Sequence, residues 1–314
     1  MLERIFTDLL QNQNPDGGWG TLRGKRTNTE ATSFAVAALT ALPEHTAAMA
    51  SRKRGIEWLV RQQNQDHSWP LNEIAKEGSW TTALAVMALV DDPQYSDRAL
   101  AGARWLLEQE GSKPGILAEI ILWVRGKSGI NKVNNDLIGW SWVPNSFSWV
   151  EPTSYALIAV KKLRTRLTAT NVDERIRQGD AMIYDRMCNG GGWNYGNSKV
   201  LDYALWPYPD ITALALIAMQ DHAREKSNQQ SLQVLTKIAR ETDSGLALCW
   251  GAICLNLYGQ DNFDFRKQIE KRFDATAFLG ESKNLALAIM ALAGQATPFR
   301  IADSRVNNAP QRLS

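Results

Sequence analysis

The chain has 314 residues, is 44% hydrophobic and 22% charged, and carries a formal net charge of +2, an ordinary globular composition that excludes a disordered or collagen-like chain. Near-neutral charge leaves no basic excess for neutralising phosphates, so no nucleic-acid partner is expected. Three cysteines at irregular spacing read as buried free thiols in a reducing compartment. The opening Met1–Gln13 lacks an apolar signal-peptide core and apolar stretches such as Ile116–Val124 are too short to span a bilayer, so the expected location is cytoplasmic.

Two kinds of segment alternate along the chain. Leu2–Gln11 is amphipathic, and a turn, QNQNPDGGWG over Gln11–Gly20, follows it. Glu30–Leu39 (EATSFAVAAL) is apolar on nearly every side, as a fully buried helix reads. Arg52–Gln63 is amphipathic again, with Ile56, Leu59 and Val60 on one face. The turn QQNQDHSW over Gln62–Trp69 puts His67 in the glycine slot of the first turn. Trp80–Leu89 (WTTALAVMAL) is buried, Asp97–Glu108 amphipathic, and Ile116–Val124 reads as a shorter buried helix. Glu151–Val160 (EPTSYALIAV) is buried and Val172–Met187 amphipathic; a third turn, RMCNGGGWNYG, spans Arg186–Gly196. Asp210–Met219 (DITALALIAM) is buried, and weaker buried copies lie at Asp243–Leu255 and Asn284–Leu292. Amphipathic Ser231–Glu241 and Phe265–Phe273 precede them in turn.

Buried helices alternating with half-exposed ones define two layers. The fold class predicted is all-α, one (α/α)6-type toroid over residues 1–296, with an irregular tail over 297–314. Period-two runs and β-branched clusters are lacking, so no strand is expected. In the turns, glycine and Asn/Asp supply the positive φ that stops a helix, and Trp19, Trp69 and Trp193 cover the helix ends as structural staples.

The repeats Q-x-x-D/N-G-x-W, set between buried Ala/Leu helices from Gln11 to Leu292, resemble the QW motifs of the squalene cyclase and prenyltransferase superfamily. The resemblance implies the toroid of protein prenyltransferase β subunits and triterpene cyclases. Protein prenyltransferases hold zinc with an Asp-x-Cys pair and a distant His. Here Cys188, Cys249 and Cys254 do not follow Asp at that spacing, and His45, His67 and His222 do not complete a ligand set. No metal and no cofactor are therefore expected. Asp91-Asp92 lacks the third acid of the metal motif of terpene synthases.

Squalene-hopene-type cyclases carry D-x-D-D-T-A at the start of a buried helix, and its middle Asp protonates an alkene. Aligning Tyr208-Pro209-Asp210-Ile211-Thr212-Ala213 on Thr-Ala puts Asp210 at that position, with Tyr208 and Ile211 in place of the other acids. Trp149-Val150-Glu151-Pro152-Thr153 has the same layout, with Glu151 two residues before Thr. Glu30, Glu151 and Asp210 all stand at starts of buried helices, where carboxylates also serve as caps and complement the helix dipole. Parallel inner helices place all three at one end of the ring.

The segments entering two of these helices, Asn131–Val150 and Asn189–Pro209, are long and aromatic. Trp140, Trp142, Phe147, Trp149, Tyr195, Trp206 and Tyr208 are the candidate substrate-binding wall, because aromatic faces stabilise cations; the same residues would serve as a plug for the ring. The resemblance implies a terpene cyclase-like protein acting on an isoprenoid or similar apolar substrate by protonation-initiated cyclisation. Asp210 is the candidate acid and Glu151 its partner. The alternatives are a non-catalytic toroid that binds a lipid or a partner protein, and a prenyltransferase-like subunit lacking the zinc site. Triterpene cyclases pair two toroids, so a single one implies a second toroid, a second copy of the chain, or a smaller substrate. An apolar substrate also favours peripheral membrane contact.

Overall fold

Helices without a polar face persist in water only where neighbours cover them on all sides, and a closed double ring provides that cover. In the computed structural model, which describes residues 1–112, 134, 136–200, 203–294 and 298–301, six outer helices alternate with six inner ones. The outer helices are α1 (Leu2–Gln11), α3 (Thr46–Gln62), α5 (Ser96–Glu108), α7 (Val172–Asp185), α9 (Lys226–Arg240) and α11 (Phe263–Thr276). The inner helices are α2 (Thr29–Thr40), α4 (Thr81–Leu89), α6 (Val150–Leu163), α8 (Pro209–Ala218), α10 (Gly245–Leu257) and α12 (Ser282–Ala293). Each inner helix packs on the next, and α12 packs on α2 to close the ring, with α1 covering α12 from outside. The inner helices begin where the sequence places them. The short buried helix expected at Ile116–Val124 lies outside the described residues.

The starts of the inner helices are tied to the loops of neighbouring repeats. The Thr29 N–H donates to the Leu71 carbonyl at 2.9 Å, Trp80 N–H to Trp142 at 3.3 Å, Val150 N–H to Tyr195 at 3.1 Å and Ser282 N–H to Thr21 at 2.9 Å. One helix N–H group with no partner inside the helix is thus satisfied by a rim carbonyl at each of these four starts.

The turns repeat one hydrogen-bond pattern. The indole N–H of Trp19 donates to the Leu9 carbonyl at 2.8 Å, Trp69 to Leu59 at 2.7 Å and Trp193 to Ile183 at 2.6 Å. The backbone N–H of each tryptophan donates to a threonine hydroxyl at the start of the next inner helix: Thr32 at 2.9 Å, Thr82 at 2.9 Å and Thr212 at 3.0 Å. Trp140 is a fourth member. Its indole reaches the Leu106 carbonyl at 2.7 Å, its backbone N–H reaches Thr153 at 2.9 Å, and it is only 3% exposed. The guanidinium of Arg175 lies 4.2 Å over its ring. Trp140 is therefore a staple, which corrects its assignment to the substrate wall: it does not line the cavity at the mouth of the ring, and its indole and backbone N–H groups are spent on the fold. His67 does take the left-handed slot, at φ 71°, that Gly17 fills at φ 98°.

Three staples rest on glycines of the outer layer. A Cβ at Gly55 would lie 2.7 Å from the Trp19 ring, one at Gly102 2.6 Å from Trp69, and one at Gly179 2.8 Å from Trp140. The same three positions face Val36, Val86 and Leu157 of the inner layer, so bare backbone is what lets the layers close over each indole.

Among the described residues there is also an antiparallel strand pair, β1 (Lys199–Val200) with β2 (Tyr203–Ala204), in the long segment before α8. Two-residue strands are too short to leave a period-two signature, which is why the sequence shows none. Most of the expected tail lies outside the described residues, but Phe299 is buried among Phe34 and Trp250 inside the ring. Cys188, Cys249 and Cys254 are buried and unpaired. Among the described residues, no helix is long and apolar enough to cross a membrane.

Gly102→Ala forces a methyl group into the Trp69 ring. Urea unfolding should show a loss of about 1–3 kcal/mol, the usual cost of overpacking. An unchanged midpoint would show that the two layers are not closed over the staples as described.

Candidate active site

The staple threonine sets the register of what precedes it. Glu30, Trp80, Glu151 and Asp210 each stand two residues before Thr32, Thr82, Thr153 and Thr212. Leu246 and Lys283 occupy the matching second positions of α10 and α12. All six line one cavity of about 270 Å³ at the N-terminal mouth of the ring, together with Trp142, Tyr195, Ile211, Leu214 and Trp250. One helical turn deeper, four residues on, the same helices present Phe34, Leu84, Tyr155, Leu214, Trp250 and Leu287. A charged first layer thus sits on an apolar second one. Phe34, Tyr155 and Trp250 are in mutual ring contact at centroid separations of 6.0–6.3 Å, and Phe299 backs them at 5.0 Å from Trp250.

The carboxylates of the first layer turn toward side chains, away from helix N–H groups. The side-chain cap of α2 comes from Asn28, which accepts the Ala31 N–H at 2.8 Å, and α6 and α8 have no side-chain cap. Glu30 instead receives a hydrogen bond from Lys283 Nζ at 2.8 Å. Glu151 Oε1 lies 3.9 Å from the same ammonium and accepts the Tyr155 hydroxyl at 3.3 Å. Asp210 Oδ2 accepts the Tyr195 hydroxyl at 3.0 Å. Capping alone does not account for this arrangement.

Burial pushes the Glu151 carboxyl above the ordinary glutamate value; Lys283 opposes the shift, while Glu30 and Asp210 reinforce it. Burial acts to lower Lys283, but Glu30 and Glu151 outweigh it and hold the ammonium above the ordinary lysine value. The chemistry available is therefore a carboxyl group whose pKa burial raises, a second carboxyl group on the same cavity, and aromatic walls.

The expected aromatic wall divides. Trp142 and Tyr195 line the cavity, Trp142 in edge contact with Trp80 at 4.9 Å. Tyr208 lies beside Tyr195 at 5.8 Å with half its surface exposed, and Trp149 rests on Gly196. Phe147 and Trp206 are 58% and 83% exposed and do not line the cavity; their loops carry them away from the ring's opening. The sequence reading missed Lys283, Trp80 and Trp250. Their register position would have found the first two, because Lys283 and Trp80 align with the acids.

A second cluster lies at the opposite end of the ring. Asp180, Asp221 and His222 bring donor atoms within 4.8 Å of one another. The ammonium of Lys161 already occupies that space, 2.8 Å from Asp180 and 2.7 Å from Asp221, and donates to the Ala218 carbonyl at 3.0 Å. These residues fit a protein cation, and a metal ion would have to displace it. The cluster clips α6 to α7 and to the turn after α8.

No family model and no curated protein matches the sequence. Solved structures do match. An alpha-amylase from Clostridium perfringens superimposes with a TM-score of 0.62 at 10% identity, over 94% of this chain and 98% of that one. The alpha-1,6-mannanase of Salegentibacter sp. gives a TM-score of 0.59 at 10% identity, with the same coverage of 94% and 98%. The type II terpene cyclase MstE from Scytonema, in a variant bound to its substrate geranylgeranyl dihydroxybenzoate, gives 0.51 at 14% identity over 95% of this chain and 78% of that one. The fold is an all-α toroid. Toroids of this kind are thus similar to the chain whether they act on polysaccharides or on prenyl chains, and the likeness carries the architecture alone.

The cluster at the far end of the toroid generates a pH dependence. The hydrogen bond to Asp180 raises the pKa of His222, with Asp221 adding to it and burial and Lys161 opposing. The folded value lies above the unfolded one, so the His222 contribution is complete below about 6.5 and fades as pH climbs through the raised value. His222→Gln should therefore destabilise the protein more at pH 6 than at pH 9 in urea titrations. An equal loss at both values would show that the imidazole does not change charge against Asp180.

Proposed function

We propose that the mouth cavity is the active site of a terpene cyclase-like enzyme, in which a carboxyl kept protonated by burial delivers its proton to an isoprenoid or similar unsaturated apolar chain. The observation that carries this reading is the position of Glu151: largely but not fully buried, lifted in pKa, bonded by Tyr155 and set directly above an aromatic second layer. Protonation of a carbon–carbon double bond leaves a carbocation. Ring closure moves that charge along the chain, and loss of a proton ends the reaction with the acid restored. The walls Trp80, Trp142, Trp250 and Tyr195 offer π faces to the cation, and Asp210 offers a carboxylate. The roles of Glu151 and Asp210 are exchanged relative to the sequence expectation, because burial raises the pKa of Glu151, whose side chain is only 12% exposed.

The three carboxyl groups around one cavity favour a second reading, hydrolysis of a glycosidic bond by an acid and a second carboxylate, the class of the amylase and mannanase neighbours. The apolar second layer supports the isoprenoid reading over this one, since a sugar needs hydrogen-bond partners that Phe34, Leu214 and Trp250 do not supply.

The test is turnover in deuterated water. Linear neutral isoprenoids should give cyclised or isomerised products carrying one deuterium from the initiating acid. Glu151→Gln should lower the rate by about 10²–10⁴, the contribution of a positioned general acid, with the melting temperature retained. Glu151→Gln turning over as fast as the parent would remove the acid. Release of sugars from manno- or gluco-oligosaccharides, with isoprenoids untouched, would transfer the site to the second reading.

A further inference from the structure

The proposal here rests on the reading of the cavity as an isoprenoid site and concerns which end chemistry the site accepts. Around the mouth, three carboxyl groups, Glu30, Glu151 and Asp210, face one ammonium, Lys283. That ammonium is committed: it is hydrogen-bonded to Glu30 at 2.8 Å and lies 5.3 Å over the ring of Phe34, inside the wall. Glu281 stands near the same ammonium and adds a further acid to its surroundings. Among the described residues, no arginine and no second lysine lines the cavity. Beside Glu151 and the paired Glu30, Asp210 places a third carboxyl group on the cavity wall, where it accepts the Tyr195 hydroxyl at 3.0 Å.

Converging helix N-termini are a counterweight, because their free N–H groups and dipoles attract anions. Here some of those groups are spent. The N–H groups at the starts of α2, α4, α6 and α12 donate to the carbonyls of Leu71, Trp142, Tyr195 and Thr21. Asn28 and Ser244 cap the first turns of α2 and α10. A diphosphate in this cavity would meet three carboxyl groups and a single ammonium already bonded to Glu30, and a buried charge without a partner is strongly disfavoured. A positive charge meets the opposite situation: carboxyl groups at the rim and the indoles of Trp80, Trp142 and Trp250, the composition that recognises quaternary ammonium groups.

We propose that this cavity is a cation-selective pocket: it binds alkylammonium ligands and excludes diphosphates, so the part of the natural substrate that enters it carries no anionic group.

Isothermal titration of the full chain with hexyltrimethylammonium, hexan-1-ol and hexyl diphosphate tests the charge preference. The ammonium should bind at least about tenfold more tightly than the alcohol, corresponding to about 1.4 kcal/mol, and the diphosphate more weakly than either. Asp210→Asn should remove most of the ammonium's advantage and leave hexan-1-ol binding unchanged. Trp142→Ala should weaken the ammonium more than the alcohol. Diphosphate binding as tight as the ammonium, an ammonium no tighter than the alcohol, or no binding by any of the three would overturn the proposal. So would a preference indifferent to Asp210→Asn. The two readings fail separately. Turnover of neutral isoprenoids without ammonium preference removes only the charge selectivity, while ammonium selectivity without turnover removes the cyclase and leaves a cation-binding pocket.

Discussion

A single hydrogen bond, from a turn tryptophan's indole N–H to a carbonyl in the last turns of an outer helix, sets where the inner helices of this ring begin. It occurs at Trp19, Trp69, Trp140 and Trp193. A buried indole nitrogen left unpaired would cost about 1–3 kcal/mol, so each tryptophan is held in one orientation. Its own backbone N–H then fixes a threonine hydroxyl, and the threonine fixes the residue two positions earlier at the mouth. Glu30, Trp80, Glu151 and Asp210 meet in space because four turns are built alike. The glycines at 55, 102 and 179 extend the same logic outward: without a Cβ, the outer helix comes close enough to cover the indole.

The consequence at the mouth is a first layer rich in carboxylates over a second layer of aromatic and aliphatic side chains. Charges placed so close to apolar surface need partners. Lys283 supplies one for Glu30 and, more distantly, Glu151, while Tyr155 and Tyr195 supply hydroxyls. The pairing is incomplete, because one ammonium serves more than one acid. Incomplete neutralisation together with burial leaves a carboxyl group able to hold a proton beside an apolar pocket. At the other end of the ring the balance is different: Lys161 is bonded to both Asp180 and Asp221 and serves to join helices.

The two-layer ring was legible because its inner helices are apolar on every side and its turns carry Gly, Asn/Asp and Trp at fixed places. The mouth acids were legible because each starts an inner helix. Trp140 was misread as a wall residue, since Leu137 and Ile138 stand in its turn where the other three carry only glycine or polar residues. Its spacing of 13 residues to Thr153 equals that of Trp19 to Thr32 and Trp69 to Thr82, and that spacing was the available signal. Lys283 escaped because the last inner repeat is weak and its apolar run begins after the lysine. The long loops could not be read at all in this respect. Whether an aromatic such as Trp142 folds inward or one such as Trp206 stays in solvent depends on contacts with other loops, which local sequence does not encode.

Proton donation at the mouth requires that the Glu151 carboxyl hold its proton more tightly in the folded ring than an ordinary glutamate does. Carboxyl-carbon NMR of the protein labelled at glutamate, assigned by comparison with Glu151→Gln, measures that directly as pH is varied. The structure predicts a Glu151 resonance that titrates above the ordinary glutamate value of about 4.3. A Glu151 signal that titrates at or below that value would contradict the proposed acid and, with it, the reading of the mouth as a proton-donating site.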